Sequence, residues 1–261
     1  MIRMRTDFFA ESLGMGTSMV VLMPQAAAGI GMEGADGAAS VAEDERGVPV
    51  LYLLHGLSDD CTIWERRTSI ERYATEKGIA VVMPEVRRSF YADEVVGEKY
   101  WTFIAEELPQ LIASTFRVST AREDTFVAGL SMGGFGAFKL ALNHPDRFAA
   151  AASLSGVLDA RTLDLGWTGT LGERVWAGRD VAGTADDLVG LVGAADPAAL
   201  PALFVDCGTE DELLAHHRTF LAAADERGVE VQARLRPGAH TWDFWDQSIQ
   251  DVLDWLPVRE R

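Results

Sequence analysis

TFVAGLSMGGFGAFKLALN, residues 125–143, joins an apolar β-like run to an apolar helical run through Gly129-Leu130-Ser131-Met132-Gly133. A G-x-S-x-G match alone is common. Its place here, directly after a strand over Asp124–Ala128 and directly before a helix over Met132–Asn143, is the strand–turn–helix setting of a nucleophile elbow. The glycines are required because the serine backbone is strained and side chains beside it would strike the neighbouring strand and helix. Ser131 then stands at the carboxyl end of a sheet, over a helix N-terminus that favours developing negative charge.

The same alternation extends in both directions. Val48–Leu54 (VPVLYLL) and Ile79–Met83 (IAVVM) read as continuously apolar strands, as in a sheet covered on both faces. Ser69–Lys77 and Tyr100–Phe116 read as helices, the first stopped by Gly78. Downstream, Phe148–Leu154, Ala202–Val205 and Val229–Arg234 read as strands. Glu212–Arg227 and Trp242–Leu256 read as helices. Such alternation implies right-handed βαβ units, a mainly parallel central sheet flanked by helices, and one domain over 1–261. Two segments interrupt it. Residues 26–47, rich in Ala, Gly, Asp and Glu, read as a mobile hairpin insertion between the β-like runs Ser18–Met23 and Val48–Leu54, which add antiparallel strands at the N-terminal edge. Residues 159–193, rich in Gly, Trp and Asp, read as a small cap-like excursion.

A serine hydroxyl needs a base. Among five histidines, only His240, in PGAHTWDFW, follows all the strands and sits in a loop at a strand's carboxyl end. His55 shapes a strand-end loop, and His144, His216 and His217 lie on or beside helices. The acid belongs between Ser131 and His240. Asp206, Glu210 and Asp211 are the candidates in LFVDCGTED, and Asp211 is favoured because it opens the next helix, where backbone N–H groups hold a carboxylate. An oxyanion hole needs two fixed N–H donors. Met132 supplies one, and the loop LHGLSD supplies the other at Leu57, with Ser58 as the substitute. Tyr91, Tyr100, Trp101 and Trp242 are the aromatics assigned to the substrate pocket.

The bulk properties narrow the partners. The chain has 261 residues, is 48% hydrophobic and 24% charged, and carries a formal charge of −17. Its acidity disfavours nucleic acid and anionic membrane surfaces, leaving a small molecule as the partner. Two distant cysteines, Cys61 and Cys207, suggest neither zinc nor a disulfide framework. No metal or organic cofactor is expected. The N-terminus lacks the apolar run of a signal peptide, so the expectation is a cytoplasmic protein. Exposed sheet edges leave homo-oligomerisation open.

The motifs HGLSDD, RSFY, KYWTFIAEELP, GLSMGGFGA, DCGTED and PGAHTWDFW, in this order, resemble the tributyrin esterase and S-formylglutathione hydrolase (esterase D-like) family of α/β-hydrolases, and more distantly the mycolyltransferases. The resemblance implies an α/β-hydrolase fold and a serine carboxylesterase acting on short acyl esters. It matches Ser131, Asp211 and His240 to the triad, and Leu57 and Met132 to the oxyanion donors. Cys61 lies two residues further from the HGL turn than the family's characteristic cysteine, which weighs against glutathione thioesters. The alternatives are a thioesterase, an acyltransferase of the same fold, and a non-catalytic binding protein.

Overall fold

The computed structural model describes residues 1–25 and 46–259. Its strands are β1 (Ile2–Ala10), β2 (Met15–Met23), β3 (Val50–Leu54), β4 (Ala80–Pro84), β5 (Thr125–Leu130), β6 (Ala150–Leu154), β7 (Ala202–Gly208) and β8 (Val231–Arg236). They form one eight-stranded sheet in the order β1-β2-β4-β3-β5-β6-β7-β8. From β4 to β8 every pairing is parallel. Strands β3, β4 and β6 are buried along their whole length, which is why they read as unbroken apolar runs.

The N-terminal edge differs from the sequence reading. β1 and β2 pair antiparallel, from Ile2 opposite Met23 to Ala10 opposite Met15, and close in a tight turn at Gly14. β2 then pairs antiparallel with β4, not with β3. The runs Ser18–Met23 and Val48–Leu54 are therefore not the two arms of a hairpin, because β4 lies between them. The proposed insertion itself, at 26–45, lies outside the described residues. β1 escaped the sequence reading because charged Arg3, Arg5 and Asp7 interrupt it; on an edge strand such charges discourage pairing with another chain.

The helices are α1 (Ile63–Arg67), α2 (Ile70–Lys77), α3 (Tyr100–Thr102), α4 (Leu108–Thr115), α5 (Met132–Asn143), α6 (Leu171–Trp176), α7 (Leu188–Ala194), α8 (Leu214–Arg227) and α9 (Trp242–Trp255). The expected helix over Tyr100–Phe116 is present but carries a π-helical turn at Phe103–Glu107 between α3 and α4. Glu107, at the end of that turn, accepts the backbone N–H groups of Glu11 and Ser12 at 2.8 Å each and so holds the β1–β2 turn. The 159–193 segment contains two 3-10 turns, α6 and most of α7. It is tied to the core by Lys139, which is 2% exposed, pairs with Asp186 and donates to the Tyr91 carbonyl at 2.8 Å. Among the described residues no helix is long and apolar enough to cross a membrane.

Two features of this topology place the site. After β3 the chain moves to one side, to β4; after β5 it moves to the other, to β6. The crevice at the carboxyl ends of β3 and β5 is therefore a switch point, where ligands of open α/β sheets bind. In addition, α5 packs against β3 with no room for a side chain. A Cβ at Gly133 would lie 2.4 Å from the Leu54 carbonyl oxygen, and one at Gly129 would lie 2.3 Å from the Gly133 oxygen. These obstacles are backbone atoms of a central strand and helix and cannot rotate away. Gly133→Ala should cost about 1–3 kcal/mol or more of stability, read from urea unfolding. An unchanged midpoint would refute the close-packing account.

Candidate active site

Ser131 links β5 to α5 with φ 52° and ψ −118°, a conformation that costs a non-glycine residue energy. It is held there by its neighbours. Its N–H donates to the Leu154 carbonyl at 2.8 Å, and its carbonyl accepts from Phe135 at 3.1 Å and Val157 at 3.3 Å. The hydroxyl is thereby directed out of the sheet toward the loop after β8.

His240 Nε2 lies 3.0 Å from Ser131 Oγ. Its Nδ1 lies 2.9 Å from Asp211 Oδ2 and 3.1 Å from Oδ1, so Nδ1 carries the proton and Nε2 is left to accept one. The imidazole stands edge-on to Trp245 with ring centroids 4.7 Å apart, which fixes its plane. Burial pushes the Asp211 carboxyl up, but the His240 hydrogen bond and charge, with the Leu213 N–H, outweigh it and hold the group below the usual aspartate range. Asp211 is thus an anion facing the imidazole.

The three acidic candidates separate cleanly. Asp211 meets His240. Asp206 is fully buried and paired with Arg236, whose Nη2 lies 2.9 Å away, and it also accepts from Ser248 Oγ at 2.8 Å. Glu210 joins the two loops: its N–H donates to the Gly238 carbonyl at 2.9 Å, and its carboxylate accepts the Gly238 N–H. Thr209 N–H adds a bond of 2.8 Å to the Arg236 carbonyl. The loop bearing the acid and the loop bearing the base are thus laced together. Glu210→Ala should lower kcat roughly tenfold to a hundredfold through misplacement of His240, with KM little changed. Wild-type kcat in steady-state assays would show that the lacing is dispensable.

His55 does not face Ser131. It is buried, and both ring nitrogens are engaged: Nε2 accepts from the Val86 N–H at 3.1 Å, so Nδ1 donates to the Gly56 carbonyl at 2.8 Å. Asp59 N–H also donates to that carbonyl, at 3.3 Å. Two donors on Gly56 oxygen fix the Gly56–Leu57 peptide plane and aim the Leu57 N–H the opposite way. Met132 is the first residue of α5, where no helical acceptor exists for its N–H. Leu57, Ser131 and Met132 line the same cavity. His216 lines the same cavity as Ser131, but the imidazole bonded to Ser131 Oγ is that of His240; burial lowers His217 to about 4 and keeps it neutral.

That cavity measures about 710 Å³. Apolar walls come from Phe90, Leu163, Leu165, Trp242 and Trp245, with Arg88, Asp164 and Glu212 among its polar groups. Of the four aromatics assigned to the pocket, Trp242 lines it and the other three do not. Tyr91 is fully buried beneath α5, its hydroxyl donating to the His55 carbonyl at 3.0 Å. Tyr100 is 3% exposed in the core. Trp101 stacks on His144 at 5.6 Å, with Lys139 Nζ 4.3 Å from its ring centre. The cause is local: Phe90 and Tyr91 both adopt positive φ, so the chain turns sharply and sends one ring to the cavity and the next into the core. Leu163 and Leu165 of the 159–193 segment had no signal in sequence, since apolar residues in an irregular stretch carry no period.

An elbow serine, a histidine and an aspartate in a hydrogen-bonded row at the carboxyl edge of a mainly parallel, helix-flanked sheet define a serine hydrolase of the α/β-hydrolase fold, acting on carboxylic esters. The chain belongs to the putative esterase family, whose model matches residues 39–256. It is 33% identical to the fluorophosphonate-binding serine hydrolase F of Staphylococcus aureus, with a TM-score of 0.87 over 99% of both chains. It is 31% identical to an S-formylglutathione hydrolase of the same organism, with a TM-score of 0.81 over 98% of both chains. An acetyl esterase of Caldicellulosiruptor saccharolyticus is 25% identical over 97% of each chain.

Proposed function

We propose that the protein is a carboxylesterase for short acyl esters in which Ser131, His240 and Asp211 act as nucleophile, base and orienting acid. The observation that carries this reading is the row from Ser131 Oγ through His240 to Asp211, at 3.0 and 2.9 Å. Ser131 Oγ attacks the acyl carbon while His240 Nε2 takes its proton. The N–H groups of Leu57 and Met132 receive the oxyanion. Collapse expels the alcohol, which leaves with the proton from Nε2. Water then attacks the acyl-enzyme, giving its proton to the same nitrogen, and the acid departs as Ser131 is reprotonated. Asp211 holds the tautomer and stabilises the imidazolium.

The kinship with an acetyl esterase supports a short acyl group. Two buried, unpaired cysteines support a cytoplasmic setting. The kinship with an S-formylglutathione hydrolase supports a second reading, thioester cleavage by the same residues. Cys61 supplies no reactive thiol for it, since burial pushes that group up to about 11. The test is hydrolysis of p-nitrophenyl acetate through octanoate beside S-formylglutathione. Turnover greatest with acetate or butyrate and far slower on the thioester supports the ester reading. Preference for the thioester replaces it with the second, and no turnover on either overturns both.

A further inference from the structure

A second cavity, of about 310 Å³, lies at the other end of the sheet. Thr125, at the start of β5, lines it, whereas Leu130, at the end of β5, lines the cavity over Ser131; the strand between them spans about 17 Å. Its apolar walls are Ile104 and Ala105 of the π-helical turn, Pro109 of α4, Leu140 of α5, and Phe148. Its volume is at the small end of ligand sites, large enough for a small organic molecule.

Two donors line this cavity, whose wall also holds Gln110, Ser119, Thr120 and Thr125. Tyr52, in the middle of β3, is only 7% exposed, and its hydroxyl makes no hydrogen bond among the described residues. The phenol is therefore free to donate to a ligand in the cavity. Burial raises Tyr52 well above the usual tyrosine range, with the charge of Arg147 opposing, so the hydroxyl keeps its proton. Arg147 gives Nη1 to the Ala105 carbonyl, in the π-helical turn, and leaves Nε and Nη2 without a protein acceptor among the described residues. Such turns recur at functional sites. The other charged group lining the cavity is Asp146, which is exposed to solvent and so screened.

We propose that this cavity binds a short-chain carboxylate, with its oxygens on the Tyr52 hydroxyl and the unused edge of Arg147 and its tail against Ile104, Leu140 and Phe148. Both donors are free to bond a carboxylate, the guanidinium adds charge, and Ile104, Leu140 and Phe148 give the tail an apolar wall. A cation is repelled by Arg147, and a neutral alcohol forgoes the charge-assisted bond. The proposed ligand belongs to the class of acid that ester hydrolysis releases, but its binding here does not require Ser131.

The chain has four tyrosines, so ring-13C tyrosine labelling gives a sparse spectrum in which Tyr52→Phe identifies the Tyr52 signal. Sodium hexanoate should shift that signal saturably, and hexan-1-ol should need at least tenfold more to do the same. Each methylene from acetate to hexanoate should tighten binding roughly threefold to fourfold. Ala113→Phe, a change at an exposed position on the rim, should abolish the shift and leave ester turnover unchanged. A Tyr52 signal that hexanoate does not move, or moves equally in Ala113→Phe, overturns the site. Equal response to hexan-1-ol overturns the carboxylate.

Discussion

Ser131→Ala should lower kcat/KM for p-nitrophenyl butyrate by about 10⁴-fold to 10⁶-fold, with the fold intact. The residual rate comes from N–H donors and binding groups that the substitution leaves in place. The size of the loss follows from geometry: among the described residues the oxygen bonded to His240 Nε2 is Ser131 Oγ, at 3.0 Å. A loss of less than tenfold would remove Ser131 from the chemistry. A companion variant separates activity from stability. Ser131 holds φ 52°, which glycine adopts without strain. Ser131→Gly should therefore be inactive yet more stable, by about 1 kcal/mol or 2–4 °C in Tm. An inactive but less stable glycine variant would mean that the hydroxyl contributes more to the fold than the strain costs.

Asp211→Asn should lower kcat by about 10⁴-fold with little effect on KM. The carboxylate accepts from Nδ1 and so leaves Nε2 free; the amide can offer its NH₂ to Nδ1 instead and favour the wrong tautomer. The same residue couples to stability. Its folded-state titration is depressed, so its stabilising contribution is present above the unfolded carboxylate pKa of about 3.9 and is lost as pH falls through the folded value. Between pH 6 and pH 2 the wild type should therefore lose more stability than Asp211→Asn, in urea titrations at each pH. Parallel curves would show that Asp211 is not held as an anion.

The sequence was most informative where local chemistry and position in the chain coincide. The elbow glycines have one steric explanation, and helix α5 begins and ends at the expected residues, Met132 and Asn143. Strands β3, β4 and β6 announce themselves because both faces are covered. His240 was legible from chain order, as the histidine in a loop after the last strand. β1 was not, because an edge strand needs only one buried face and tolerates Arg3, Arg5 and Asp7 on the other. The aromatics near the site were legible as a group but not singly. Phe90 faces the cavity and Tyr91 the core because of two consecutive positive φ values, and nothing in RSFY encodes which ring goes where.

The proposed chemistry therefore rests on short segments: a strained serine between glycines, a histidine after the last strand, and an acid that lies in the turn before helix α8 rather than opening it as the sequence reading has it. Each is a local requirement, met within a few residues of chain. Which of Asp206, Glu210 and Asp211 serves His240 was settled by packing between β7 and β8, where Arg236 claims Asp206 and Gly238 claims Glu210. The order of the strands, the side chains that wall the cavity and the place of Tyr52 at the second cavity were settled the same way. These depend on contacts between residues far apart in the chain, and hydrophobic pattern specifies that a face is buried without specifying against what.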